Sequence, residues 1–68
     1  MKPHQLRVVI EKAELDLKIA ALIEFVHNSP IYKTLPAAEV QRLAAQEELM
    51  EHYSEILGKR IAAFEVTA

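Results

Sequence analysis

One stretch separates two long helical patterns and decides the fold, residues 27–36: His27-Asn28-Ser29-Pro30-Ile31-Tyr32-Lys33-Thr34-Leu35-Pro36. The residue before a proline is pushed out of helical geometry, so Pro30 and Pro36 bracket a short, stiff connection. On either side of it, apolar residues recur at steps of three and four, which is typical of amphipathic helices. The sequence therefore predicts an all-α fold, an antiparallel two-helix hairpin that forms one domain over residues 1–68.

The predicted helix bounds follow from the prolines and the apolar pattern. Pro3 suits a first helical turn, so the first helix is expected over about residues 3–27. The loop then covers about residues 28–35, and the second helix about residues 36–64, with Pro36 in its first turn and the last four residues frayed. Gly58 lies inside the second helix, either tolerated near a frayed end or kept where another backbone comes close.

Composition excludes several classes of protein. The 68 residues are 51% hydrophobic and carry a net charge of −2, which disfavours disorder and binding to a nucleic-acid backbone. There is no cysteine, so disulfides, thiolate metal sites and cysteine nucleophiles are excluded. No segment is long and apolar enough to span a bilayer, and the first residues lack the apolar core of a signal peptide. We expect a soluble intracellular protein that binds neither nucleic acid nor membrane.

The apolar residues form more surface than one hairpin can bury. The first helix carries a stripe for packing against the second, comprising Val8, Leu15, Ile19, Leu22 and Val26. It carries another beside it, comprising Leu6, Ile10, Ala13, Leu17 and Ala21. The second helix has a main stripe of Val40, Leu43, Met50, Leu57, Ile61 and Phe64, flanked by Leu49, Tyr53 and Ile56. Two stripes require two packing partners, so we expect a homo-oligomer, at least a dimer forming a helical bundle.

Neither catalysis nor metal binding is favoured by the polar residues. Glu24 and His27 have the Glu-x-x-His spacing of di-iron bundles, with Glu39 or Glu47 as possible partners, but no other helix repeats the motif. A histidine at a helix end is also favoured by the helix dipole alone. His52 lies among three glutamates, an arrangement expected on a solvated helical face. No nucleophile motif or phosphate loop is present. We predict a protein that is not an enzyme and has no cofactor or metal.

A more specific site appears when the hairpin is folded about its loop. Arg7, Glu11, Tyr53 and Arg60 are expected to meet at the open end, and Lys18 to fall opposite Gln46 further toward the loop. Guanidinium groups grip phosphate and an aromatic ring can stack on a base, so this cluster would suit an anionic planar ligand. The alternative is that Arg7–Glu11 and Glu11–Arg60 ion pairs only solubilise the hairpin. A second polar group, in the loop, comprises Asn28, Ser29, Tyr32 and Lys33, where Tyr32 is expected to pack rather than bind a ligand.

The sequence also carries a family resemblance over nearly its whole length. The residues concerned are His4-Gln5-x-Arg7-Val8-Val9-x-Glu11-Lys12-x-Glu14-Leu15-Asp16-x-Lys18, Leu22, Phe25, Leu35-Pro-x-x-Glu39, Gln46, Met50, Tyr53-Ser54, Ile56-Leu57-Gly58 and Arg60-Ile61-Ala62-Ala63-Phe64. They resemble the small crAss-phage-related proteins of bacteriophages. The resemblance implies a phage origin and a location in the host cytoplasm.

In type, such a small self-associating helical protein resembles the phage immune-signal sponges. This likeness suggests an anti-defence protein that sequesters a nucleotide-derived signal, of the cyclic nucleotide or cyclic ADP-ribose type, without catalysis. The ligand would be held by Arg7, Glu11, Lys18, Gln46, Tyr53 and Arg60. The alternative is a helical protein–protein interaction module whose second apolar stripe docks on a host or phage protein.

Overall fold

The computed structural model of the protein describes the backbone of residues 1–67 and the side chains of residues 1–64. Two helices, α1 over Pro3–Asn28 and α2 over Ala37–Thr67, are joined by a turn that contains a short 3-10 helix over Tyr32–Thr34. Within the described residues the protein is all-helical and contains no strand. The described chain is a thin rod with principal extents of 49 × 16 × 15 Å.

The start of α1 is held by its own first turn. The Lys2 amide donates a hydrogen bond of 3.0 Å to Oε1 of Gln5, satisfying a backbone donor that a helix start leaves unpaired. Pro3 occupies the first helical position, where its missing amide hydrogen costs nothing. The helix extends one residue past the expected end at His27, and Ser29 leaves it with extended backbone because Pro30 follows.

The connection is a compact turn rather than an open loop. The Ser29 hydroxyl accepts the Ile31 amide at 3.2 Å, and the Thr34 hydroxyl donates to the Ile31 carbonyl at 2.7 Å. The Tyr32 ring packs edge-on against Phe25 of α1, with centroids 6.0 Å apart. These local contacts fix the direction in which the chain reverses.

Helix α2 begins and ends later than the sequence pattern indicates. Pro36 stands just before the helix, and its carbonyl accepts the amides of Glu39 and Val40 in the first turn. At the other end the helix includes residues 65–67, although the sequence predicts fraying there, and Ala68 lies outside the described residues. Gly58 therefore lies well inside α2 and has ordinary helical backbone rather than a positive φ.

The two helices bury a narrow core. Among the described side chains, the buried hydrophobics are Val8 and Leu15 of α1 and Leu57 of α2, with Leu57 completely enclosed. Ile19, Met50, Ile61 and Phe64 pack partly buried against them. Near the open end the His4 ring meets Phe64 edge-on at 6.5 Å, which shows the antiparallel course of the helices.

Much apolar surface is left outside this core. Leu17 is 72% exposed on α1 and Leu49 is 69% exposed on α2. Leu6 and Ile10 of the same outer stripe of α1 are also exposed, as are Tyr53 and Ile56 on α2. None of the helices, within the described part of the chain, combines the length and hydropathy that crossing a membrane would need.

Candidate functional site: an open groove on α2

A polar contact across the helix interface sets the register of the hairpin. Lys12 of α1 donates to Oδ2 of Asp16 at 2.7 Å and to Oγ of Ser54 at 3.0 Å, while the Ser54 hydroxyl donates to Oδ1 of Asp16. Ser54 is only 8% exposed, so its hydroxyl needs these partners. The contact places residues 12 and 54 at the same height along the hairpin. The ring contact between His4 and Phe64 at the open end agrees with this register.

The same contact changes the acidity of Asp16. The hydrogen bond from Lys12 and then that from Ser54 lower the pKa of Asp16 below its ordinary value. Burial opposes this shift, and the charge of Lys12 adds the smallest lowering effect. The carboxylate is therefore charged wherever the hairpin is folded at neutral pH. Its role is to orient the two helices rather than to exchange protons.

The predicted site residues lie in two rows on the other side of the hairpin. Arg7, Glu11 and Lys18 recur at steps of four and seven along α1. Gln46, Tyr53 and Arg60 recur at steps of seven along α2. Helical geometry sets each row about a quarter turn from the core stripe of its helix, away from the side of Asp16. In the register of the hairpin, Arg7 falls near the level of Arg60. Lys18 falls near Met50 rather than opposite Gln46, where the sequence predicts it, because the helices pair about one turn further along than folding about the loop indicates.

These six residues are exposed and largely without polar partners. Among the described side chains, Arg7, Glu11, Lys18 and Arg60 make no hydrogen bond or ion pair. The Arg7–Glu11 and Glu11–Arg60 pairs that would solubilise the hairpin are therefore not formed. Three cationic side chains on this side remain available to an anion.

A groove of about 420 Å³ runs along this side of α2. It is lined by Arg42, Ala45, Gln46, Leu49, Met50 and Tyr53. The amide of Gln46 contacts the sulfur of Met50 at 3.7 Å, and the Tyr53 ring is 43% exposed. All of the lining belongs to one helix, so the groove is shallow and open along its length.

Arg42, which the sequence pattern alone does not single out, also lines the groove. Its Nε donates to Oε1 of Glu39 at 2.8 Å, a contact one turn apart on the surface. The signal that marks it is spacing, because Arg42 lies four residues before Gln46 and seven before Leu49, on the same stripe. The groove thus has a guanidinium at the end nearer the loop, and Arg60 lies on its stripe beyond the other end.

The other polar groups singled out in the sequence form no competing site. In the turn, Ser29 and Tyr32 are engaged in the local contacts described above. Among the described side chains, no three residues of the metal-ligating types come together, so Glu24 and His27 lack a third ligand. His52 lies on an exposed face 3.9 Å from Glu48, as expected for a solvated helix surface.

The structure is that of a small helical hairpin with an open groove along one side of α2. Comparison with known sequences gives a family: residues 2–63 match the sequence model of the Sequestin family, and the chain belongs to it. A relative in Enterobacteria phage T4, described as an uncharacterized 7.5 kDa protein in the denB-rIIB intergenic region, is 41% identical over 64 residues. The match covers 94% of this chain and 98% of the relative. No solved structure matches the chain.

Proposed function

We propose that this protein is a phage anti-defence protein that binds and sequesters a nucleotide-derived immune signal without catalysis. Membership of the Sequestin family is the observation that carries the proposal, because the family name denotes sequestration and the relative at 41% identity is a phage protein. The protein acts in this proposal as a homo-oligomer in the host cytoplasm. The narrower relation to the small crAss-phage-related proteins rests on the sequence resemblance alone.

The chemistry of the groove supports an anionic, partly planar ligand. Its floor is apolar at Ala45 and Leu49, and an exposed tyrosine ring offers a surface on which a base can stack. Arg60, and Arg7 at its level on α1, supply guanidinium forks that match phosphate oxygens. Glu11, Lys18 and Gln46 complete the proposed site as groups that orient the ligand.

Sequestration also fits the absence of an activated group near the groove. Binding requires only shape, charge and a rigid support, whereas hydrolysis requires a positioned base or metal. The lining itself carries no carboxylate or imidazole, and the nearby carboxylate of Glu39 is engaged with Arg42 at 2.8 Å. The ligand is therefore expected to leave the protein chemically unchanged.

The outer stripe of α1 favours a second candidate function. Leu6, Ile10 and Leu17 are all exposed, with Leu17 at 72%. They lie on the side of α1 that faces away from α2 and its groove. A stripe of this kind can dock a helix of another protein. In that case the protein would be an interaction module, and substitution of Ile10 or Leu17 would abolish its effect while substitution in the groove would not.

Ligand binding is tested by thermal unfolding and titration calorimetry with a panel of cyclic dinucleotides and cyclic ADP-ribose derivatives. A ligand present at a hundred times its dissociation constant stabilises the folded state by about 2.7 kcal/mol, which raises the melting temperature by several degrees. Arg60→Gln is expected to remove the shift. Lys59→Gln is the matched control, because Lys59 is adjacent in sequence but pairs with Glu55 on another face.

Chromatography of the ligand after release distinguishes sequestration from catalysis. Recovery of intact ligand in one-to-one proportion with the amount bound supports the proposal, and recovery of a cleaved product contradicts it. A panel in which no nucleotide shifts the melting temperature of the wild-type protein would also reject the proposal and favour the interaction module.

A further inference from the structure

We propose that α2 pairs antiparallel with α2 of a second copy along residues 42–60, and that each ligand site combines Arg42 of one copy with Arg60 of the other. The inference rests on the proposed function for the identity of the ligand. The inference goes beyond the proposed function because it assigns the dimer interface, a new binding residue and two equivalent sites per dimer. Its premise is the stripe of α2 that the hairpin leaves uncovered.

This stripe has the spacing of a helix-pairing seam. Its members recur at alternating steps of four and three: Arg42, Gln46, Leu49, Tyr53, Ile56 and Arg60. Such a 4-3 repeat keeps residues along one line of a helix and is the pattern that packs against another helix. Its apolar members are exposed, Leu49 at 69% and Ile56 at 55%, so the hairpin does not use this line for its own core.

The spacing of the seam is symmetric about residue 51, as any alternation of four and three is, so two antiparallel copies can bring their seams into register along the whole stretch. A two-fold axis at that level places Leu49 opposite Tyr53 of the second copy, and Gln46 opposite Ile56. The apolar residues then meet at the centre and the arginines meet at the ends. The antiparallel direction is favoured because all neighbouring helices of the resulting four-helix bundle have opposed dipoles.

The groove on α2 supports a second copy as the occupant. All six residues that line it come from one helix, so one side of it is open along its length. In the antiparallel pair, α2 of the second copy lies over the middle of the groove, at Leu49 and Tyr53. The two ends of the seam then form two pockets related by the two-fold axis, each with residues from both copies.

The charge at the ends of the seam explains why the pocket needs an anion. Pairing brings Arg42 beside Arg60 of the second copy, and the carboxylate of Glu39, which pairs with Arg42, offsets only one of the two positive charges. Nε of Arg42 is already held by Glu39 at 2.8 Å, which orients the group and leaves its terminal nitrogens to bind phosphate. Arg7 of α1, near the level of Arg60, adds a third positive charge at the same end of the hairpin.

A site within a single chain would not use both arginines. Residues 42 and 60 are separated by about 27 Å along the helix axis at 1.5 Å per residue, more than one mononucleotide spans. Tyr53 is about 10 Å along the axis from Arg60 of its own chain, a distance that a base and its phosphate can bridge. The pocket is therefore complete only when Arg42 arrives from the second copy.

The decisive experiment is complementation between two defective variants. Arg42→Gln and Arg60→Gln homodimers each lose one guanidinium from both sites, so each is expected to bind the nucleotide found for the wild type at least about tenfold more weakly. Co-expression with two different tags, followed by purification on both, gives the heterodimer. This heterodimer has one site with neither arginine and one with both.

Calorimetry on the heterodimer is expected to show wild-type affinity at half the wild-type number of sites. A heterodimer as defective as its parents would overturn the inference, since that is the result for arginines that act within one chain or for a parallel pair. Failure of wild-type protein to bind any nucleotide in the panel rejects the proposed function instead.

The interface is tested without a nucleotide by sedimentation equilibrium. Leu49→Glu is expected to dissociate the dimer, whereas Leu17→Glu, the same change on the outer stripe of α1, leaves it intact. Inorganic pyrophosphate at constant ionic strength is expected to tighten the wild-type dimer about tenfold by bridging the paired arginines, and not to tighten Arg42→Gln. Dissociation by Leu17→Glu in place of Leu49→Glu, or an equal response of both proteins to pyrophosphate, would contradict the interface.

Discussion

Ser54 joins the two helices at a position where a hydrophobic residue would also fit the pattern. It lies between Met50 and Leu57 on the core side of α2, and its hydroxyl both accepts from Lys12 and donates to Asp16. A hydrophobic residue here would pack equally well at several rotations of the helices, whereas the hydroxyl is satisfied only when it faces Lys12 and Asp16. This one side chain therefore contributes more to register than to stability, and the register determines which residues share the groove side.

The contact of Asp16 predicts how stability depends on pH. Because hydrogen bonds from Lys12 and Ser54 lower its pKa in the folded protein, Asp16 stabilises the fold above the carboxyl's ordinary pKa, and this contribution is lost as the pH falls through the lowered value. Asp16→Asn is therefore expected to lower the melting temperature near neutral pH. The difference from the wild type should shrink steadily at pH values below about 4.

Circular dichroism melts over this pH range measure the effect, with Glu14→Gln as the matched control. Glu14 is on the same helix, two residues away, and has no recorded side-chain partner among the described residues. Its substitution removes the same charge without removing a contact between the helices. A pH profile of Asp16→Asn that runs parallel to the wild type down to the lowest pH would contradict the assigned role.

At the scale of the elements, the two helices could be predicted from the sequence and their rotation could not. The apolar steps of three and four, interrupted once between Pro30 and Pro36, are sufficient to predict a hairpin, because a short connection lets the main stripes of the two helices face each other. The contact between Lys12 and Ser54 depends on the angle of each helix about its axis, which periodicity leaves uncertain by a residue or more. For the same reason the sequence indicates Gln46 and Tyr53 as ligand-binding residues but does not indicate Arg42, which lies on the same stripe of α2.

Gly58 of α2 shows what the close approach of the helices requires. An added Cβ would lie 3.4 Å from Cε of Lys12, a contact with a flexible side chain rather than with backbone. Alanine at an interior helical position is more stable than glycine by roughly 0.5–1 kcal/mol, since glycine loses more conformational freedom on folding. We therefore expect Gly58→Ala to stabilise the protein by a similar amount, measured by urea denaturation.

The matched control for Gly58→Ala is Ala62→Gly, the reverse change one turn later on an exposed face of the same helix. It is expected to destabilise the protein by about 1 kcal/mol. If Gly58→Ala also destabilises, Lys12 cannot shift without losing its bonds to Ser54 and Asp16, and glycine is then a requirement of the interface rather than a tolerated residue.

For the whole molecule, the balance between core and exposed apolar surface argues for assembly. Only Val8, Leu15 and Leu57 are buried hydrophobics among the described residues, a small core for a domain of 68 residues.

If a second copy covers the seam of α2, unfolding requires dissociation, and the melting temperature depends on protein concentration. A hundredfold rise in concentration favours a dimer by about 2.7 kcal/mol, which corresponds to a rise in melting temperature of roughly 5–10 °C. Calorimetric scans across that range measure the rise, with Leu49→Glu expected to melt lower and at a constant temperature, because a charge in the seam keeps the hairpins apart. A wild-type melting temperature that does not change with concentration would mean that the narrow core stabilises a single hairpin, and the ligand site would then have to be formed within one chain.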